Sequence, residues 1–166
     1  MSLLGELTYF LALQMSQQDK GIFICQTKYI KEMLKRFQME DCKPFLTPMV
    51  TGCKLSINDS SKDVDQRMYK SMIGSLLYVT TSRLDVMLAV GKVVRFQAVP
   101  KESHVIAVKR IFQYLKGTTK YGLWYPKGNK LTIEAYTDAD WVGSVDDCKS
   151  TSGAAFYLGG CLVSWL

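Results

Sequence analysis

Apolar and polar positions follow two different rhythms along this chain. Over residues 7–15, Leu7, Tyr9, Leu11, Leu13 and Met15 alternate with Thr8, Phe10, Ala12 and Gln14, the two-residue period of a strand. Gln18-Asp19-Lys20-Gly21 supplies turn chemistry, and Ile22 to Cys25 returns as a second strand, so a hairpin is expected. A lone hairpin is marginal in water and needs something to pack on. From about Thr27 to Met39 the rhythm becomes helical. Ile30, Met33, Leu34 and Phe37 share one face, and Lys28, Lys31, Glu32, Lys35 and Arg36 share the other. Residues 40–66 carry Pro44, Pro48, Gly52 and an Asn58-Asp59-Ser60-Ser61 cluster, the composition of a joint between subdomains.

Three further helical stretches follow. Tyr69, Met72, Ile73, Leu76 and Leu77 predict one helix face. Ser82 with Asp85 predicts a capping box opening a second helix, lined by Val86, Ala89, Val90, Val93 and Val94. A third is predicted over about Glu102 to Lys116, with Val105, Val108, Phe112 and Leu115 inward, Lys109, Arg110 and Lys116 outward, and Gly117 as its stop. The strand rhythm then resumes. Leu131, Ile133 and Ala135 alternate with Thr132, Glu134 and Tyr136. Gly153–Leu158 and Cys161–Leu166 read as strands joined by Gly159-Gly160, a loop that tolerates positive φ. The fold class is therefore α+β.

Charge changes this picture in one place. The chain has 166 residues, 48% apolar and 22% charged, ordinary values for a folded protein, and a net charge of +6. Residues 101–130 hold seven basic groups (Lys101, Lys109, Arg110, Lys116, Lys120, Lys127 and Lys130) against the single acid Glu102. Interleaved with Tyr114, Tyr121, Trp124 and Tyr125, this stretch suits a phosphate backbone. Its alternative is a solvated helix face. Five cysteines without C-x-x-C spacing, and one histidine (His104), argue against a disulfide framework and a structural zinc site. No apolar run is long enough to span a membrane. The segment 1–15 carries Glu6 and no basic lead, so it does not read as a signal peptide, and an intracellular location, cytoplasmic or nuclear, is expected.

Candidate chemistry is acidic. Asp138 and Asp140 are alternate residues of a strand and project to one face. Two-metal nucleases hold a pair of Mg²⁺ ions about 4 Å apart on such acids, but one strand does not supply the whole cage. Ser144-Val145-Asp146-Asp147 lacks the aromatic residue of a polymerase Asp-Asp motif and reads as a solvated turn. No nucleophile elbow, phosphate loop or dinucleotide fingerprint is present.

Several motifs, taken in order, resemble the Pol polyprotein of copia-type long-terminal-repeat retrotransposons, nearly end to end. Gly5-Glu-Leu-Thr-Tyr-Phe-Leu-Ala-Leu-Gln14 resembles the last hairpin of a reverse-transcriptase palm. Gly21 to Ile30, then Asp41-Cys-Lys-Pro44 and Thr47-Pro-Met49, resemble the thumb. Tyr69-Lys-Ser-Met-Ile-Gly-Ser-Leu-Leu-Tyr78, Arg83-Leu-Asp85, Tyr114-Leu-Lys-Gly-Thr118 and Tyr121-Gly122 resemble the connecting region. Tyr136-Thr-Asp-Ala-Asp-Trp141 resembles the first strand of ribonuclease H. Ala12 stands where the family usually has Gly, Leu84 where it has Pro, and Val142 where it has a small residue.

The resemblance implies a domain order: a palm-end hairpin over 1–26, a thumb-like helix and linker over 27–65, a connection-like helical region over 66–130, and the first three antiparallel strands of a truncated ribonuclease H-like sheet over 131–166. It implies Asp138 as the first metal-binding and catalytic Asp of ribonuclease H. Lys109, Arg110, Lys116 and Lys120 become part of a face toward the template–primer duplex. It implies Mg²⁺ as cofactor, although this stretch alone, without the palm's Tyr-x-Asp-Asp and the later acids, is not expected to hold the ions. The implied parent reactions are RNA-directed DNA synthesis and cleavage of RNA in RNA–DNA hybrids, with the chain by itself performing neither. The alternative is a non-catalytic module that holds RNA–DNA or DNA duplex weakly and electrostatically through 101–130. The other implied partner is the rest of the polyprotein. Phe156, Leu158, Leu162 and Trp165 are expected to leave one sheet face uncovered, and stability to be marginal.

Overall fold

A computed structural model describes residues 7–128, 130, 132–139 and 152–165. The chain forms two compact units, one from residues 27–121 and one from residues 1–26 and 122–166.

The first unit is helical. Helix α1 (Thr27–Arg36) buries Ile30, Met33 and Leu34 and exposes Lys28, Lys31, Glu32, Lys35 and Arg36, as the stripe predicts. It stops before Met39. Gln38 takes a left-handed φ of 56°, Met39 N–H donates to Leu34 O (2.8 Å) and Gln38 N–H to Lys35 O (3.0 Å). This is a Schellman closure with glutamine in the glycine position, and it folds Met39 into the core beside Leu34. Helix α2 (Gln66–Val79) opens on Asp65, whose carboxylate accepts from Arg67 N–H at 2.9 Å. Tyr69, Met72, Ile73 and Leu76 are buried as expected. Leu77 is 47% exposed, and Ser75 and Val79 take the inner face instead.

The next helix begins differently from the expectation. A 3₁₀ turn (Leu84–Val86) leads into α3 (Met87–Val94), and neither start carries a side-chain cap. Ser82 N–H donates to Val79 O, and both Asp85 oxygens are taken by Arg83, so no capping box forms. Helix α4 (Glu102–Gly117) buries Val105, Val108, Ile111, Phe112 and Leu115. Together these helices enclose the apolar core, which runs from Ile30 to Leu115.

Residues 40–65 are not a free joint. They strap α4 along its length. Glu102 N–H donates to Lys62 O (2.9 Å), Val64 N–H to Pro100 O (3.2 Å) and Phe45 N–H to Gln113 O (3.4 Å). Lys101 and Asp63 form an ion pair at 2.7 Å. Proline and glycine bar regular structure here, and the strap's backbone groups find partners on the helix instead.

The second unit is β. Strands β1 (Tyr9–Phe10), β2 (Leu13–Gln18), β3 (Gly21–Cys25) and β4 (Gly122–Pro126) form one antiparallel sheet in that order. The alternation over 7–15 is thus interrupted. Leu11 and Ala12 take left-handed φ values of 46° and 57° as the two central residues of a tight turn. Strand β4, which periodicity alone does not reveal in a basic, aromatic stretch, pairs Gly122 with Cys25 and Pro126 with Gly21. It is the packing partner the hairpin required. A Cβ on Gly122 would collide with Ile24 O, and one on Gly21 with Tyr125 O, so glycine at both ends lets the two backbones meet.

Strands β5 (Ile133–Ala139), β6 (Ser152–Leu158) and β7 (Cys161–Trp165) form a second antiparallel sheet. Gly159 and Gly160, at φ 59° and 75°, make the predicted two-residue turn. Tyr125 O–H donates to Leu162 O at 2.8 Å and links the two sheets. Every β5 residue is exposed, and Phe156 and Leu158 are 37% and 36% exposed, while Leu162 and Trp165 are half-buried.

Candidate nucleic-acid interface and acidic strand

Helix α4 positions the basic candidates. Its inner face is fixed by the core, so the residues between those positions must face out. Lys109 lies there exposed, and Lys120 is exposed in the turn that follows. Lys116 and Arg110 are half-buried and have local partners. The Lys116 ammonium donates to Cys42 O. Arg110 Nη2 donates to Thr47 Oγ1 at 3.0 Å, and its guanidinium lies 4.3 Å from the centre of the Phe45 ring. The four candidates therefore share one helix and its exit, but only Lys109 and Lys120 of the four are exposed.

The exit of α4 is pinned by a cluster that patterning alone does not single out. Arg83 is 2% exposed. Its Nε and Nη2 donate to the two oxygens of Asp85 (2.8 and 2.7 Å), its Nη1 to Thr118 O (2.8 Å), and Nη2 also to Thr118 Oγ1 (2.7 Å). Tyr114 O–H donates to the same carboxylate at 2.7 Å. The guanidinium lies 5.8 and 5.4 Å from the Tyr114 and Tyr121 ring centres. Burial alone would raise the Asp85 pKa, but the bonds from Arg83 and Tyr114 outweigh it and hold the carboxyl below its ordinary value. Burial and the Asp85 bond push Tyr114 the other way. The signal was present in the Arg83-x-Asp85 and Tyr114-x-x-x-Thr118 motifs, which this cluster joins.

His104 does more than open α4. It is fully buried and stacks on Phe96 with ring centres 3.9 Å apart. Nδ1 accepts from Lys101 N–H at 3.0 Å, and Nε2 lies 3.0 Å from Ser56 O. A carbonyl only accepts, so these partners assign the proton to Nε2. The imidazole thereby caps α4 and ties the strap to it.

The acidic candidate is less assembled. Asp138 sits exposed on β5, paired across the ladder with Gly153. Asp140, Trp141, Val142 and the segment 144–147 lie outside the described residues. Among the described residues, no three His, Cys, Asp or Glu side chains gather where a metal ion could be held. The described acids therefore do not by themselves form the two-metal cage the family implies. Among the described residues, Cys25, Cys42, Cys53 and Cys161 form no disulfide. Among the described residues no helix is long and apolar enough to cross a membrane.

Comparison with known proteins gives a consistent family. No family model matches the chain, and no solved structure does. The retrovirus-related Pol polyprotein from transposon RE1 of Arabidopsis thaliana is 41% identical over 160 residues, 96% of this chain and 11% of that protein. The corresponding polyprotein from transposon TNT 1-94 of Nicotiana tabacum is 37% identical over 154 residues, 89% of this chain and 12% of that protein. An uncharacterised mitochondrial protein of Arabidopsis thaliana is 35% identical over 162 residues, 98% of this chain and 67% of that protein. These relatives are in the main transposon-encoded polyproteins. The chain belongs to the family of retrovirus-related Pol polyproteins of copia-type retrotransposons. It spans only about a ninth of the transposon polyproteins it matches.

Proposed function

We propose that the chain is the stretch of a copia-type reverse transcriptase–ribonuclease H that runs from the end of the palm (1–26), through thumb (27–65) and connection (66–130), into the first strands of ribonuclease H (131–166). Its own role in this reading is to hold template–primer duplex. Synthesis and hybrid cleavage belong to the larger enzyme, in which Asp138 would be the first metal-binding Asp. The observation that supports the reading most is the match to Pol polyproteins over 96% of the chain. The duplex contact is favoured by the solvated charges of Lys109 and Lys120 at α4 and its exit. The half-buried Arg110 and Lys116 add to the local positive potential while remaining engaged with Thr47 and Cys42.

Counterion release makes such binding steeply salt-dependent, with about 0.9 of log–log slope per neutralised phosphate. A fluorescent RNA–DNA hybrid should therefore bind at low salt and be lost as salt rises. The Lys109→Ala/Lys120→Ala double variant should flatten that slope by about 2. Absence of binding at low salt, or an unchanged slope in the double variant, would reject the role. Hybrid cleavage by the isolated chain with added Mg²⁺ would reject the division of labour.

A further inference from the structure

His104 is the chain's one histidine, and its setting favours the neutral ring. The side chain is fully buried, so a charge there lacks water. It sits in the first turn of α4, where the helix dipole opposes a cation. Above all, the atom facing Nδ1 is a donor, the Lys101 N–H at 3.0 Å, while Nε2 already gives its proton to Ser56 O. A second proton, on Nδ1, sets two N–H groups against each other and undoes the cap. Stacking on Phe96 softens the charge but supplies no lone pair at Nδ1.

Residues 56–62 of the strap are lightly held over this ring. Glu102 N–H donates to Lys62 O at 2.9 Å, but Ser103 N–H reaches Ser61 Oγ only at 3.4 Å, and the two hydroxyls lie 3.5 Å apart. The segment's one large apolar side chain, Ile57, is 50% exposed, so lifting it forfeits little hydrophobic burial. We propose that His104 is an acid-sensitive latch: protonation of its imidazole releases residues 56–62 from the first turn of α4 and leaves the rest of the helical unit folded. Neighbouring charges do not take over this role. Lys101 and Asp63 pair with each other. Asp59 is held below its ordinary pKa, first by the bond from Ser103 and next by that from Ser61 N–H, with the imidazole adding least, so it stays ionised where histidine titrates. Lys54, Lys62 and Asp65 of the strap, Arg95 after α3 and Glu102 of α4 are of types that do not titrate in histidine's range. The latch is independent of the duplex contact at Lys109 and Lys120.

The ring is neutral when closed and charged when released, so opening takes up one proton. It is disfavoured above the ordinary histidine value and grows tenfold per pH unit below it. Amide hydrogen exchange of the full chain, corrected for its intrinsic pH dependence, reads this directly. With the released ring titrating near ~6.5, opening at Lys101 and Glu102 should be about thirtyfold more frequent at about pH 5 than at about pH 7.5. Ile73 and Phe112 should keep their protection. His104→Gln retains an acceptor for the Lys101 N–H, as in an ordinary capping box, and does not titrate, so it should lose the pH dependence. Asp59→Asn should keep it. Protection at Lys101 and Glu102 that ignores pH, an equal loss at Ile73 and Phe112, a dependence that survives in His104→Gln, or one lost in Asp59→Asn would overturn the proposal. Should His104→Gln fail to fold, the ring nitrogen-15 shifts of the unaltered chain decide. The imidazolium signal should appear only together with lost protection at Lys101 and Glu102, and its appearance while they remain protected also overturns the latch.

Discussion

Gln38 and Ala12 both hold the left-handed backbone that glycine adopts without cost. Each Cβ there meets a carbonyl at an energetic cost of about 1 kcal/mol. Gln38→Gly, which keeps the Schellman closure of α1, should raise stability by about 0.5–1 kcal/mol in urea unfolding. Ala12→Gly should do the same for the β1–β2 turn, at the position where the family usually has glycine. A loss of stability in either would mean that the side chain makes a contact worth more than the backbone strain. Asp85 makes the opposite case. Its folded pKa lies below its unfolded one, so its contribution is fully present above the unfolded value near 4 and fades as pH falls through the folded value. Asp85→Asn leaves the buried Arg83 guanidinium without its counter-charge, a loss of about 3 kcal/mol at neutral pH. The variant should also lack the part of the acid-unfolding limb that begins just below pH 4, as read by circular dichroism across a pH series.

At the level of elements, the helices were legible in the sequence and the sheet edges were not. The stripes through Ile30–Leu34, Met72–Leu76 and Val105–Leu115 are long and regular, and burial follows them. The Gly159-Gly160 turn was legible because only one turn class suits two adjacent glycines. The Leu11–Ala12 turn was hidden because neither residue advertises positive φ. Strand β4 was hidden because its partner lies far away in the sequence, and its residues follow a helix exit rich in charge. The apparent Ser82–Asp85 capping box failed for an electrostatic reason: a buried guanidinium two residues before the acid outbids a backbone amide. Of the candidate site, Lys109 and Lys120 lie in the open as patterning suggests. The anchoring of Arg110 and Lys116 depends on the strap, whose course no local pattern gives. Gly122→Ala tests the β3–β4 junction. The methyl group would meet Ile24 O within the ladder, so amide protons of Ile22 and Ile24 should exchange at least tenfold faster while those of Ile73 and Val108 are unchanged. Equal protection throughout would mean that the strands separate slightly at no cost.

On the scale of the whole molecule, the two units are built by different physics. Among the described residues, all of the buried apolar core belongs to residues 27–121. The β unit, in its described residues, relies on ladders and half-buried side chains, with β5 exposed throughout. Hydrophobic burial is the dominant favourable term, so resistance to unfolding should be distributed unequally. Mild trypsin treatment should trim both ends of the chain and leave a protected product close to residues 27–121, identified by mass spectrometry. Cleavage beginning inside α2 or α4 would show that the helical unit is the weaker one.

The pairing of β3 with β4 joins positions about a hundred residues apart, with the entire helical unit between them. Closing so long a loop in a flexible chain carries an entropic penalty that grows with its length. The helical contacts are more local and form sooner. Once the bundle has condensed, Thr27 Oγ1 bonds Thr119 O at 2.8 Å, so the two chain segments that lead into β3 and β4 leave the bundle side by side. The bundle thus acts as the template for its neighbour's topology. During synthesis the first hairpin must wait, one edge unpaired, until the ribosome has released residue 126, and through that interval β3 is open to capture by any other strand it meets.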